Sequence, residues 1–142
     1  MNFWDHHKTI TSCYELLAKD ICDKYKLTQM EYNILMFLHN NPQYNTAADI
    51  VKIRKCTKSH VSTSIKELET KGYIKRVQNP NNKKQIEIIL SNKALPIIED
   101  GIKTQKIFAQ NILNGLTEQE KRTFIDVFNK VCNNAEKYLK TK

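Results

Sequence analysis

The sequence predicts a mainly α-helical fold with one small β-hairpin, and three observations carry that prediction. Apolar residues recur every three or four positions through most of the chain. Thr28 and Thr117 each stand three positions before a glutamate, the pattern that opens a helix. Between Gly72 and Ser91 the texture changes to short β-branched runs on either side of a turn-forming segment.

The first helix is expected from Phe3 to about Tyr25, with Ile10, Tyr14, Leu17 and Ile21 along one stripe. The second begins behind a Thr28 cap, with Glu31 closing a capping box and Leu27 stapling against Tyr32. It should stop near Leu38, because Pro42 biases Asn41 toward extended backbone. A third, short helix fits Thr46 to Ile53, with Ile50 and Ile53 facing inward. Thr57 then offers a hydroxyl cap for a fourth helix that ends at Gly72. "YIKRVQ" and "QIEIIL" read as two strands around "NPNNKK", a polar loop with a basic tip at Asn81, Asn82, Lys83 and Lys84. From Ser91 the helical period returns through Ile98, Ile102, Ala109 and Ile112, and Pro96 marks a kink or a helix start. A last helix opens on Thr117 and Glu120 and carries Phe124, Phe128, Val131, Ala135 and Tyr138 on one stripe.

The totals narrow the function. The length, 142 residues, suits one domain with a real core. With 23 Lys and Arg against 15 Asp and Glu the formal net charge is +8, which favours a polyanionic partner. Cys13, Cys22, Cys56 and Cys132 are scattered with no C-x-x-C pair, the usage of a reducing compartment. The start lacks a secretory pattern and no window approaches the roughly 18 apolar residues of a membrane span, so a cytoplasmic protein without membrane association is expected. There is no glycine-rich phosphate loop, nucleophile elbow or H-E-x-x-H, so an enzyme is not expected.

The fourth helix suggests a partner. At about 100° per residue, Val61, Ile65 and Leu68 cluster on one side, while Ser59, Thr63, Lys66 and Thr70 fall on the other with Ser62 beside them. A short-chained face lets the backbone come close to a partner, and hydroxyls, amines and a positive helix end suit phosphate oxygens. A solvated helix face explains the same pattern equally well. The basic hairpin shifts the balance: helix, turn, helix and cationic hairpin make a winged helix-turn-helix, whose second helix enters a DNA major groove.

"LTQMEYNILMFL" followed by "TAADIVKIRKCTKSHVSTSIKELETKGYIKRVQNPNNKKQIEIILS" resembles the core of the MarR (multiple-antibiotic-resistance regulator) family. The resemblance implies a winged helix-turn-helix with N- and C-terminal dimerisation helices. It assigns residues 1–26 to a dimerisation helix, 27–91 to the DNA-binding domain and 92–142 to C-terminal dimerisation helices. It implies a homodimeric transcriptional regulator, a repressor, reading a near-palindromic double-stranded operator and answering to a small aromatic or lipophilic ligand, with no cofactor and no metal. Carried over by position, Thr57, Lys58, Ser59, Ser62, Thr63 and Lys66 fall where the recognition helix meets DNA, and Arg76, Asn82, Lys83 and Lys84 fall on the wing.

Two departures stand out. The family's usual wing pattern is Asp-x-Arg, and here it is Asn82, Lys83, Lys84, which keeps charge but loses the planar fork. "RKC" precedes Thr57 where the family usually has an apolar residue and a glycine. Cys13, beside Ile10 and Leu17, is the one cysteine that the resemblance places near a dimer seam, as a redox sensor or a small core residue. Gln29 stands where peroxide-sensing members carry a tyrosine. His6 and His7 diverge by about 100° on a helix, and His39 and His60 lie apart from them, so no zinc site is expected. A winged helix used only for protein association is the competing interpretation. Since Ser59, Ser62 and Thr63 make no bidentate guanine contact, a preference for A·T-rich operators through DNA shape is expected.

Overall fold

The computed structural model describes residues 1–141, and the chain divides into two compact units, Met1–Phe108 and Ala109–Lys142. The elements run α1 (Phe3–Tyr25), α2 (Gln29–Asn40), α3 (Ala47–Arg54), α4 (Lys58–Thr70), β1 (Ile74–Asn79), β2 (Asn82–Leu90), a 3-10 turn at Asn92–Ala94, α5 (Leu95–Ile112) and α6 (Glu118–Lys140). This is the predicted order of four helices, a hairpin and two long helices.

Reciprocal capping boxes open α1 at Asn2 and Asp5, α2 at Thr28 and Glu31, α3 at Thr46 and Asp49, and α6 at Thr117 and Glu120. In each, the cap side chain accepts from the backbone N–H three residues on and the acid accepts from the cap's own N–H, satisfying two otherwise orphan donors. Each cap stabilises its helix by about 1 kcal/mol. The boxes at Asn2 and Thr46 escape a search for hydroxyl-x-x-Glu because aspartate closes them.

Several bounds differ from expectation. The second helix runs past Leu38 to Asn40, and the chain leaves it only at Asn41 (φ −133), next to Pro42. In α3, Thr46 is the cap rather than the first helical residue, and Ile53 does not face inward: Ile50 is fully buried whereas Ile53 is 39% exposed. The buried face of this short helix is centred among Ala47, Ile50 and Val51, and Ile53 lies roughly 110° around from it. The fourth helix ends at Thr70, and Gly72 (φ +82) supplies the left-handed residue that turns the chain into β1.

The core of the Met1–Phe108 unit is built around α2, whose Tyr32, Ile34, Leu35, Met36, Phe37 and Leu38 are all buried. Against it lie Ala18, Ile21 and Cys22 of α1, Val61, Ile65 and Leu68 of α4, Ile74 and Ile88 of the hairpin, and Ile97 and Ile98 of α5. Gly101 permits the approach of α5 to α2, since a Cβ there would sit 2.4 Å from Met36 Sδ and 3.2 Å from the Tyr32 hydroxyl. That hydroxyl shares a 2.7 Å hydrogen bond with Tyr14, and burial first and Tyr14 second raise the Tyr32 phenol above its ordinary range, keeping it protonated.

The strands are antiparallel and pair Ile74 with Leu90, Arg76 with Ile88 and Gln78 with Ile86, after which Asn79 meets Asn82. Lys83, Lys84 and Gln85 therefore oppose no residue of β1, a bulge in β2. This corrects the expected loop: Asn82, Lys83 and Lys84 belong to the strand, and the tip is only Pro80 and Asn81. Asn79 Oδ1 accepts from the Asn81 N–H at 2.8 Å, which closes so tight a turn.

In the Ala109–Lys142 unit, α6 buries none of its residues, and Phe124, Phe128, Val131 and Tyr138 remain about half exposed on one face.

Candidate nucleic-acid interface

The fourth helix sorts its residues by period. Val61, Ser64, Ile65 and Leu68 are buried, and Lys58, Ser59, Ser62, Thr63 and Lys66 are exposed, with Thr57 exposed at the cap. Thr57 Oγ1 accepts from the His60 N–H at 3.3 Å. Unlike α1, α2, α3 and α6, α4 has no acidic residue in its first turn, so its remaining N–H groups and Lys58 are not matched by a carboxylate of their own helix. That end is electropositive and open, which suits an anionic partner.

The hairpin lies beside this face, and its tip is shaped by its own amides. Gln78 Nε2 donates to the Lys83 carbonyl at 2.5 Å, Asn82 Oδ1 accepts from the Lys84 N–H at 3.1 Å, and Asn79 Nδ2 donates to Glu87 Oε1 at 3.1 Å. Asn82 thus orders the backbone of the bulge, and both lysine side chains stay exposed. Arg76 sits differently from the lysines. Its guanidinium donates twice to Glu69 Oε1, at 2.7 and 3.2 Å, tying β1 to the last turn of α4. The hydrogen bond from Arg76, more than charge alone, holds the Glu69 carboxyl below its usual range.

Sequence reasoning missed the anchor that fixes the other end of α4. Lys71 Nζ donates to Glu31 Oε1 at 2.9 Å and to the Lys26 carbonyl at 2.8 Å, joining the end of α4 to the α1–α2 junction. Glu31 is 2% exposed and also caps α2, so one carboxylate serves two elements. Partners 40 and 45 positions apart leave no periodic trace in a sequence. The turn between α3 and α4 keeps its shape without glycine: Lys55 itself adopts the left-handed conformation (φ 56, ψ 41). Cys13 is half-buried on α1, while burial raises the buried Cys22 thiol above its ordinary value. No helix among the described residues is long and apolar enough to cross a membrane.

Residues 25–85 match a family model described as the MarR family. Among curated proteins, the chain is 29% identical over 87 residues to YwhA, an uncharacterised HTH-type transcriptional regulator of Bacillus subtilis strain 168, covering 61% of this chain and 63% of that protein. It is 26% identical over 87 residues to the HTH-type transcriptional regulator BilQ of Clostridioides difficile strain CD3, covering 61% and 58%. The chain therefore spans less than two thirds of the length of either relative. Among solved structures it superposes with a TM-score of 0.85 on a MarR family regulator from Listeria monocytogenes complexed with a 26mer DNA, at 23% identity, covering 98% of this chain and 93% of that one. At that identity the likeness is one of fold.

Proposed function

The chain belongs to the MarR family, and from that premise we propose that it is a cytoplasmic transcriptional regulator that binds double-stranded DNA as a homodimer. Each winged module, residues 27–91, takes one half of a near-palindromic operator, and residues 1–26 and 92–142 hold the two copies together. The observation that carries this reading is the open N-terminal end of α4 with its exposed Ser59, Ser62, Thr63 and Lys66, flanked by a bulged strand bearing Lys83 and Lys84.

In this reading, α4 lies in the major groove with its short side chains close to the backbone, Thr57 and Lys58 at phosphates and Lys66 further along the groove. Lys84, with Lys83 beside it, reaches the adjacent minor groove, where A·T-rich sequence narrows the groove and deepens its negative potential. Arg76 acts by holding the wing against α4, since its donors are engaged by Glu69. The half-exposed apolar faces of α1 and α6 support a dimer, because isolated faces of this kind need covering. Repression follows from occupying the operator, and a ligand that alters the spacing of the two α4 helices releases it.

The test is binding to a duplex from the gene's own upstream region across a salt series. Affinity should fall steeply with salt, and Lys66→Ala and Lys84→Ala should each flatten the logarithmic salt slope by about 0.9 for every phosphate left without its lysine. Salt-insensitive association with no duplex affinity would instead make the fold a protein-interaction module.

A further inference from the structure

A cavity of about 300 Å³ opens in the Met1–Phe108 unit, walled by α1, α2 and α5, with Arg54 reaching it from the end of α3. Five of its eleven wall residues are primary amides, Gln29, Asn33, Asn40 and Gln105 among them, so the wall offers hydrogen bonds more than apolar surface. Two opposite charges, Glu15 and Arg54, face the same space. No salt bridge joins them, and neither has an ion-pair partner elsewhere among the described residues.

We propose that this cavity binds a free α-amino acid with a polar side chain. The guest's carboxylate meets the Arg54 guanidinium, whose fork matches a carboxylate through two N–H donors. Its ammonium donates to the Glu15 carboxylate, and its side chain exchanges hydrogen bonds with the amides. A volume of this size lies at the small end of ligand cavities, appropriate to a single amino acid. An aromatic acid without an ammonium would leave Glu15 unmatched and the amides facing apolar surface, so the class of guest differs from the aromatic or lipophilic inducer expected from the sequence.

The cavity is connected to the DNA-reading face by the chain itself. Arg54 is the last residue of α3, its carbonyl accepts from the Cys56 thiol at 3.5 Å, and the α4 cap Thr57 follows directly. A guest drawing on Arg54 therefore acts on the turn that aims α4, and the regulatory half of the inference rests on the DNA-binding reading above.

The experiment is calorimetric titration of the full chain, without DNA, by L-glutamine, L-asparagine and L-arginine. Glutaramic acid, which lacks the ammonium, and 4-aminobutanamide, which lacks the carboxylate, serve as truncated partners of glutamine. At least one amino acid should bind, and glutamine should bind at least 10-fold better than either truncated form. Arg54→Gln should erase the discrimination against 4-aminobutanamide and Glu15→Gln that against glutaramic acid, both with unchanged circular dichroism. No binding of any of the three at millimolar concentration, or binding unaltered in both variants, overturns the site; so does salicylate binding that outcompetes the amino acids. DNA affinity is measured separately by anisotropy. A chain that binds DNA but no amino acid sinks this inference alone, and one that binds an amino acid but no DNA sinks the regulatory reading alone.

Discussion

Single residues set the local geometry here, and two of them do so against their own preference. Lys26 (φ 55) and Lys55 (φ 56) occupy the left-handed region at the ends of α1 and α3, which costs a side-chain-bearing residue about 1–2 kcal/mol. Lys26→Gly should therefore raise the unfolding free energy by about 0.5–1 kcal/mol in urea titrations, after allowing for the more flexible unfolded chain. A fall in stability would show that the Lys26 side chain itself stabilises the fold by more than its backbone costs. Glu69 makes a prediction in pH. Its carboxyl is held below the unfolded value by the Arg76 hydrogen bond, so the pair's contribution is fully present above the ordinary carboxylate pKa and is lost as pH falls through the lowered one. Acid unfolding curves of Arg76→Ala should be flatter than those of the parent between those two values, and parallel curves would mean that the pair adds nothing to stability. Cys22, buried and with its thiol raised, should resist iodoacetamide in the native protein at neutral pH and react only as the chain opens, as mass spectrometry of quenched samples would report. At this scale the outward face of α4 was legible, because helical period alone separates Val61, Ile65 and Leu68 from Ser59, Thr63 and Lys66. The Arg76–Glu69 pair was not, because it depends on how the hairpin root folds back on the helix.

Among elements, α2 is the piece on which the others are assembled, and the closest approach to it is made at Gly101 of α5. Gly101→Ala places a methyl inside the radius of Met36 Sδ, and Met36 is itself buried, so the helices must separate or Met36 must leave its rotamer. The expected cost is about 1–3 kcal/mol, read as a lower urea midpoint with unchanged slope. Pairing it with Met36→Ala should cost less than the sum of the two single changes, because the cavity left by one receives the methyl of the other. Additive costs would place the conflict at the Tyr32 hydroxyl instead. Helix order, caps and hairpin could all be read from the chain, since each is encoded within a few residues. The tight wing tip was misplaced by the run of polar residues in "NPNNKK", which looks like a loop until the side chains of Asn79 and Asn82 are seen to bond the backbone of the turn and of the strand behind it.

At the scale of the whole molecule, the expectation that follows from the proposed function is a dimer. The α6 face carrying Phe124, Phe128 and Val131 is half exposed along its length, so Val131→Glu should convert a dimer to monomer in sedimentation velocity and weaken DNA binding far more than removal of one phosphate-binding lysine. A Val131→Glu chain that stays dimeric would assign the seam to other residues. The long-range features, the Glu31–Lys71 anchor and the amide-lined cavity, left no trace in the sequence because they bring together residues dozens of positions apart. The hairpin, by contrast, is local in sequence and acts between molecules. A sheet of two strands has both long edges open to pairing, and with Val77, Ile86 and Ile89 half exposed this hairpin has the apolar surface that recruits a further strand. The three unpaired residues of β2, two of them lysines, break the flat register that such recruitment needs, and Pro80 removes a donor at the tip. The bulge that offers positive charge to a polyanion thus also keeps concentrated copies of the protein from joining edge to edge into fibres.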